Sequence, residues 1–176
     1  MKWINVFRAI IDFVYFFSLL AAVASPIILV AAFMETDYTF EIGGKAIENK
    51  HWSFYIVMIC GFLGYLAFVR MLYLMKKAVW KIKEKQLFNI EIAEWIHEAG
   101  QYCIAASLLS KVPVFIYTIV APLALKTRVS ESNYSMSFGF GFDTLFVTIS
   151  FGFFLMLTGI IIKNGLKLKE ENDLTI

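Results

Sequence analysis

The sequence predicts an all-α membrane protein, a four-transmembrane-helix bundle forming one membrane domain over residues 1–176. Three observations predict it. Four apolar stretches, Ile10–Phe33, Trp52–Leu74, Tyr102–Leu125 and Phe142–Ile162, match the length of about 20 residues that crosses a hydrocarbon core about 30 Å thick. The chain is 60% hydrophobic, and its mean hydropathy of +0.71 lies well above that of an ordinary soluble domain. The connections between the stretches are too short to hold a second folded unit.

The first stretch follows Lys2 and Arg8 and contains Ala22-Val23-Ala24-Ser25, which resembles a signal-peptide cleavage site. Its apolar run continues through Pro26 to Phe33, longer than a secretory core, so it is expected to be retained as a span. Orientation follows from the flanking bases. Lys2 and Arg8, then Arg70, Lys76, Lys77, Lys81, Lys83 and Lys85, then Lys163, Lys167 and Lys169 flank one side, against Lys45, Lys50, Lys126 and Arg128 on the other. Both termini are therefore expected to be cytoplasmic.

The outward connections alternate. Tyr38, Phe40 and Ile42 share one face before Gly43-Gly44, and Lys45-Ala46-Ile47 suits a return strand. Tyr134-Ser135-Met136-Ser137-Phe138-Gly139-Phe140 repeats the pattern. Two readings stand: a small β-ribbon capping the outer mouth, or irregular loops with chance alternation.

The inner connection, residues 76–101, is expected to be a helical elbow. Trp80, Val79 and Ile82 alternate with lysines that reach the interface. Asn89 is a candidate N-cap with Glu91 and Glu94 at the positive helix end, and Ile92, Trp95, Ile96 and Ala99 recur at helical spacing. Pro26, Pro113 and Pro122 all fall inside spans, where each frees a carbonyl that a hydroxyl or neighbouring helix must satisfy.

Lys111 is the costliest residue. It begins about 13 Å into the third span at 1.5 Å per residue, and a charge there costs at least about 2.5 kcal/mol unless it faces the bundle interior or water. Ser107, Ser110 and Pro113 surround it in sequence, so these residues form a candidate intramembrane polar site, for a ligand, an ion or gating. Asp12 follows Arg8 by four residues, which suits a local helical pair, and Arg70 is placed to meet Asp12 between helices. His51 and His97 belong to opposite sides and make no metal pair. There is no Cys–His cluster, phosphate loop or nucleophile motif, so neither a cofactor nor an enzymatic activity is expected. Cys60 and Cys103 read as packing residues. Gly152 and Gly159 share one face of the fourth span, for internal packing first and homodimerisation second. The net charge of +2 gives no sign of direct nucleic-acid binding.

The tail over residues 163–176, from Gly165 through Glu170 to Asp173-Leu174-Thr175-Ile176, and the elbow from Lys85-Gln86-Leu87-Phe88-Asn89 to Gly100 resemble the DUF2975 family of bacterial membrane proteins. The resemblance extends over the four-span layout, with the tail its specific part. It implies a four-helix membrane fold and a cytoplasmic helix-turn-helix regulator of the Cro/CI type as partner. The tail itself ends on Leu174 and Ile176 after a charged segment, which suits docking to a soluble protein or folding back on the elbow. The expected function is a non-enzymatic membrane partner that senses a signal and holds that regulator. A small transporter, channel or export component with Lys111 lining the path is the alternative.

Overall fold

A computed structural model describes residues 2–34, 40–42, 45–47, 52–82, 89–124, 129–130, 136–138 and 142–174. The elements run α1 (Lys2–Met34), β1 (Phe40–Ile42), β2 (Lys45–Ile47), α2 (Trp52–Lys81), α3 (Ile90–Ala124), β3 (Val129–Ser130), β4 (Met136–Phe138) and α4 (Phe142–Asp173). All four helices are long and apolar enough to cross a membrane. This is a multi-pass membrane protein.

The helices outrun the apolar stretches. α2 continues through the lysines to Lys81, and α4 continues to Asp173. α3 begins in the polar elbow and passes Gly100 without a break. The start of α3 is set locally: the Asn89 side-chain oxygen accepts the Glu91 N–H at 3.0 Å, and the Asn89 carbonyl accepts from Ile92 and Ala93. That is the N-cap geometry expected of this asparagine. The elbow's centre, residues 83–88, lies outside the described residues, as does His51. In α1 the ring of Pro26 leaves the Ala22 carbonyl without its helical donor, and the Ser25 hydroxyl donates to it at 3.0 Å.

Close packing follows the chain, α1 on α2, α2 on α3 and α3 on α4, and is most extensive around α3. The contacts make neighbours antiparallel. Arg8 and Asp12 meet Ile82 and Lys76, Lys81 meets Glu91, and His97 meets Met156. Among the described residues two buried clusters form at the α2–α3 seam. One joins Phe54, Val57 and Tyr117, and the other joins Met71, Leu72, Leu74, Ala99 and Cys103. Ile11 is the one described α1 residue that is buried, while Phe13, Phe16 and Phe17 stand exposed as a lipid-facing surface requires.

Four glycines set how closely the helices approach. A methyl group at Gly100 would stand 2.5 Å from the Gly152 carbonyl oxygen, and one at Gly159 would stand 2.6 Å from that of Ala93. Gly64 is close but less tight, its Cβ position lying 3.0 Å from the Ala106 carbonyl oxygen and 3.0 Å from the Ser110 nitrogen. Gly152 and Gly159 are thus consumed within the chain, in the α3–α4 seam, and offer no face to a second copy; the internal use of these glycines is the reading the structure retains.

The connections carry a small sheet in the order β3-β2-β1-β4. β1 and β2 run antiparallel with Phe40 opposite Ile47, and β1 runs parallel to β4 with Phe40 opposite Met136. The Gly43-Gly44 turn, Tyr38, and the flanks of β4 at residues 131–135 and 139–141 lie outside the described residues.

Candidate functional site

The end of the bundle where α1 and α3 begin and α2 and α4 finish gathers most of the described charges. Its arrangement corrects two expected pairings. Arg8 does not pair with Asp12. Its guanidinium donates to the carbonyls of Val79, at 3.4 Å, and Ile82, at 2.7 Å. These are carbonyls at the C-terminus of α2, which lack helical donors and carry the negative end of the helix dipole, so a guanidinium satisfies both needs. It also lies 5.3 Å from the Trp80 ring centroid.

Asp12 does not meet Arg70. It bridges to Lys76 at 3.1 Å and accepts the Trp80 indole N–H at 3.1 Å and 3.2 Å on its two oxygens. Lys76 and Trp80 are four residues apart and present one face to α1, whereas Arg70 lies farther up α2 and turns toward α3. Arg70 instead pairs with Glu98 at 3.7 Å, between the rings of Tyr73 and Tyr102.

Beside it, Lys77 and Lys81 share the Trp95 ring, with ammonium-to-centroid distances of 4.1 Å and 5.1 Å. Lys81 also pairs with Glu91. Cation–π contacts of this kind hold lysine stems against an indole while the heads stay in a polar layer. Sequence reasoning missed this α2–α3 constellation of Lys77, Lys81, Glu91, Glu94, Trp95 and Glu98. Its signal was present in the spacing of three, four and seven residues along each helix, but which side of each helix met the other was not.

The candidate polar site around Lys111 is only partly assembled. Lys111 donates to the Thr144 hydroxyl at 2.7 Å, a link from α3 to the first turn of α4. The Ser110 hydroxyl donates back to the Ala106 carbonyl at 2.7 Å, and the buried Ser107 hydroxyl donates to Cys103 at 3.0 Å. Both serines therefore satisfy their own helix, which is the common fate of a hydroxyl in a span. Asp12 and Arg70 lie at the other end of the bundle and do not join this group. Among the described residues no three His, Cys, Asp or Glu side chains cluster as metal ligands.

His97 is half-buried against α4, with Nδ1 at 3.3 Å from the Met156 carbonyl and Nε2 at 3.4 Å from the Gln101 amide nitrogen. A carbonyl only accepts, so Nδ1 carries the proton and Nε2 accepts from Gln101.

The tail leaves the bundle as part of α4. Nothing lies within 4 Å of the Cβ position of Gly165, and Leu168 and Leu174 are 66% and 86% exposed. Leu174 thus does not fold back onto the elbow. Its N–H bonds the Glu170 carbonyl at 3.2 Å and so closes the helix. Asp173 ends α4, and Thr175 and Ile176 lie outside the described residues.

A family model described as a protein of unknown function (DUF2975) matches residues 38–176. The chain belongs to the DUF2975 family. The match begins after α1, so Arg8 and Asp12 lie outside it, while the α2–α3 constellation, Lys111 and the tail lie within. No curated protein and no solved structure matches the chain. The DUF2975 region therefore carries three of the four long apolar helices and every described strand.

Proposed function

We propose that this DUF2975 protein is a non-enzymatic regulatory component of a bacterial inner membrane, with both termini cytoplasmic, that holds a small cytoplasmic helix-turn-helix regulator on its tail. One observation carries the reading: α4 runs about ten residues past its apolar stretch as an exposed charged helix that keeps Leu168 and Leu174 in solvent. A tail without a partner needs neither helical order nor exposed leucines, whereas a helix bearing apolar anchors is what a groove on a soluble protein receives. Lys167 and Glu171, 3.9 Å apart, support the helix at i,i+4 spacing. On this reading the small sheet of β1–β4 caps the outer mouth and supplies the sensing face. The signal acts by binding one conformation better than the other.

The test is affinity purification from native membranes of the intact chain and of a chain ending at Lys163. The reading expects a DNA-binding protein with the intact chain alone. Recovery of the same proteins with both chains, or of no soluble protein with either, ends it.

A second reading, a transport or export component, draws on the Lys111–Thr144 link, which sets a cation against the first turn of α4. It expects Lys111→Leu to abolish solute flux in vesicles while the tail is dispensable. The regulatory reading expects the reverse dependence.

A further inference from the structure

One face of the bundle is charged where its flanks are apolar. Arg70, Lys77 and Lys81 recur at intervals of seven and four along α2, and Glu91, Glu94 and Glu98 at three and four along α3, so each set forms a row on one side of its helix. α2 and α3 are adjacent and antiparallel, and the rows lie side by side with bases level with acids. Arg70 stands beside Glu98 and Lys81 beside Glu91. Lys77 lies over Trp95, next to Glu94 in sequence. Arg70 and Glu98 keep 47% and 40% of their side chains exposed, and Lys77 and Glu94 are exposed and form no ion pair among the described residues.

The rows stand about 16 Å tall, from Arg70 to Lys81 at 1.5 Å per residue. The Asp12–Lys76 bridge and the Tyr15–Tyr73 ring contact set α1 level with this stretch, and the His97–Met156 bond sets α4 level with it. At those heights α1 exposes Phe7, Ile10 and Phe13, and α4 exposes Phe153, Leu157 and Ile161. Surfaces of that kind suit the membrane and its interface, and the charged rows between them form a polar face bounded on both sides by apolar ones.

We propose that this polar face receives a second copy of this chain, seated on α2 and α3 about a two-fold axis along the membrane normal. Copies inserted in the same orientation can share only such an axis. It preserves height and exchanges left for right, so the basic row of one copy meets the acidic row of the other at the same level. Arg70 then faces the partner's Glu98, Lys81 the partner's Glu91, and Lys77 the partner's Glu94. The patch is self-complementary, as an isologous interface must be. Lys77 and Glu94, which form no ion pair among the described residues, each gain one, and the Arg70 and Lys81 pairs become shared networks screened from solvent. The Gly152 and Gly159 face of α4 is already consumed within the chain and does not compete for this role.

The test uses full-length chains carrying two different affinity tags, co-expressed and extracted in mild detergent, with co-purification of the second tag measured. Wild-type copies are expected to co-purify. Lys77→Glu alone sets acid against acid in the dimer and Glu94→Lys alone sets base against base, at two symmetric places each. Either variant is expected to lower self-association at least about tenfold. Co-expressing the two variants restores opposite charges at both places, and their mixed pair is expected to recover wild-type association. A misfolded variant cannot be rescued in this way, and a pairing internal to one chain would not respond to mixing. Wild-type copies that stay monomeric overturn the proposal, whether the face is then occupied by anionic lipid or by a soluble protein. Failure of the mixed pair to exceed the single variants overturns it too.

Discussion

Replacing Gly100 with alanine puts a methyl group where α3 and α4 touch backbone to backbone. It would stand 2.5 Å from the Gly152 carbonyl oxygen, 2.9 Å from the Met156 nitrogen and 2.6 Å from Met156 Cγ. Met156 Cγ can move by rotation of its side chain, but the two backbone atoms cannot. The helices must therefore separate by several tenths of an ångström, loosening the seam through Ile104 and His97. Overpacking of this kind costs about 1–3 kcal/mol, against about 1 kcal/mol gained from alanine's helix propensity. Gly61→Ala is the matched control, because nothing lies within 4 Å of its Cβ position and only the propensity gain applies. The difference between the two variants isolates the packing cost, so Gly100→Ala is expected to be about 1–3 kcal/mol less stable than Gly61→Ala. Reversible unfolding in mixed detergent micelles, followed by fluorescence of the four tryptophans, measures it. A Gly100→Ala protein as stable as Gly61→Ala would refute the close α3–α4 approach.

Two further substitutions probe single contacts. Asn89→Ala removes the acceptor for the Glu91 N–H and is expected to destabilise the start of α3 by about 1 kcal/mol, seen as faster amide exchange over residues 90–93 with the spans unchanged. The Tyr117 hydroxyl is buried with no hydrogen-bond partner among the described residues, so Tyr117→Phe is expected to be neutral or stabilising by up to about 1 kcal/mol in the same unfolding assay. A clear loss would reveal a partner for that hydroxyl.

Much of the site was legible where its cause was local. Asn89 caps α3 because an asparagine side chain reaches two residues along its own chain, and that geometry needs no neighbour. Ser25 satisfies the carbonyl that Pro26 frees for the same reason. The helical character of the elbow's second arm, from Ile90 onward, was legible because periodicity survives the change from polar to apolar residues at Gly100. The charged pairs were not. Arg8 and Asp12 have the spacing of an intrahelical pair, yet the carbonyls at the end of α2 and the Lys76–Trp80 edge draw them to another helix. Lys111 read as an isolated buried charge, and nothing in its surroundings in sequence pointed to Thr144 on α4. The β1–β2 hairpin has its glycines between its strands, whereas the parallel pairing of β1 with β4 joins segments almost a hundred residues apart.

The sequence by itself determined the solvent, the number of long helices and their local punctuation, because hydropathy, periodicity and capping act within about one or two turns of chain. Only the tertiary structure decided which charges face each other, which glycines are already in use and whether the tail stands clear. Those outcomes depend on the register and rotation of one helix against the next. A shift of one residue turns a side chain by about 100° around its helix axis, so Arg70 meets Glu98 and not Asp12, and the two charged rows come to lie on one face.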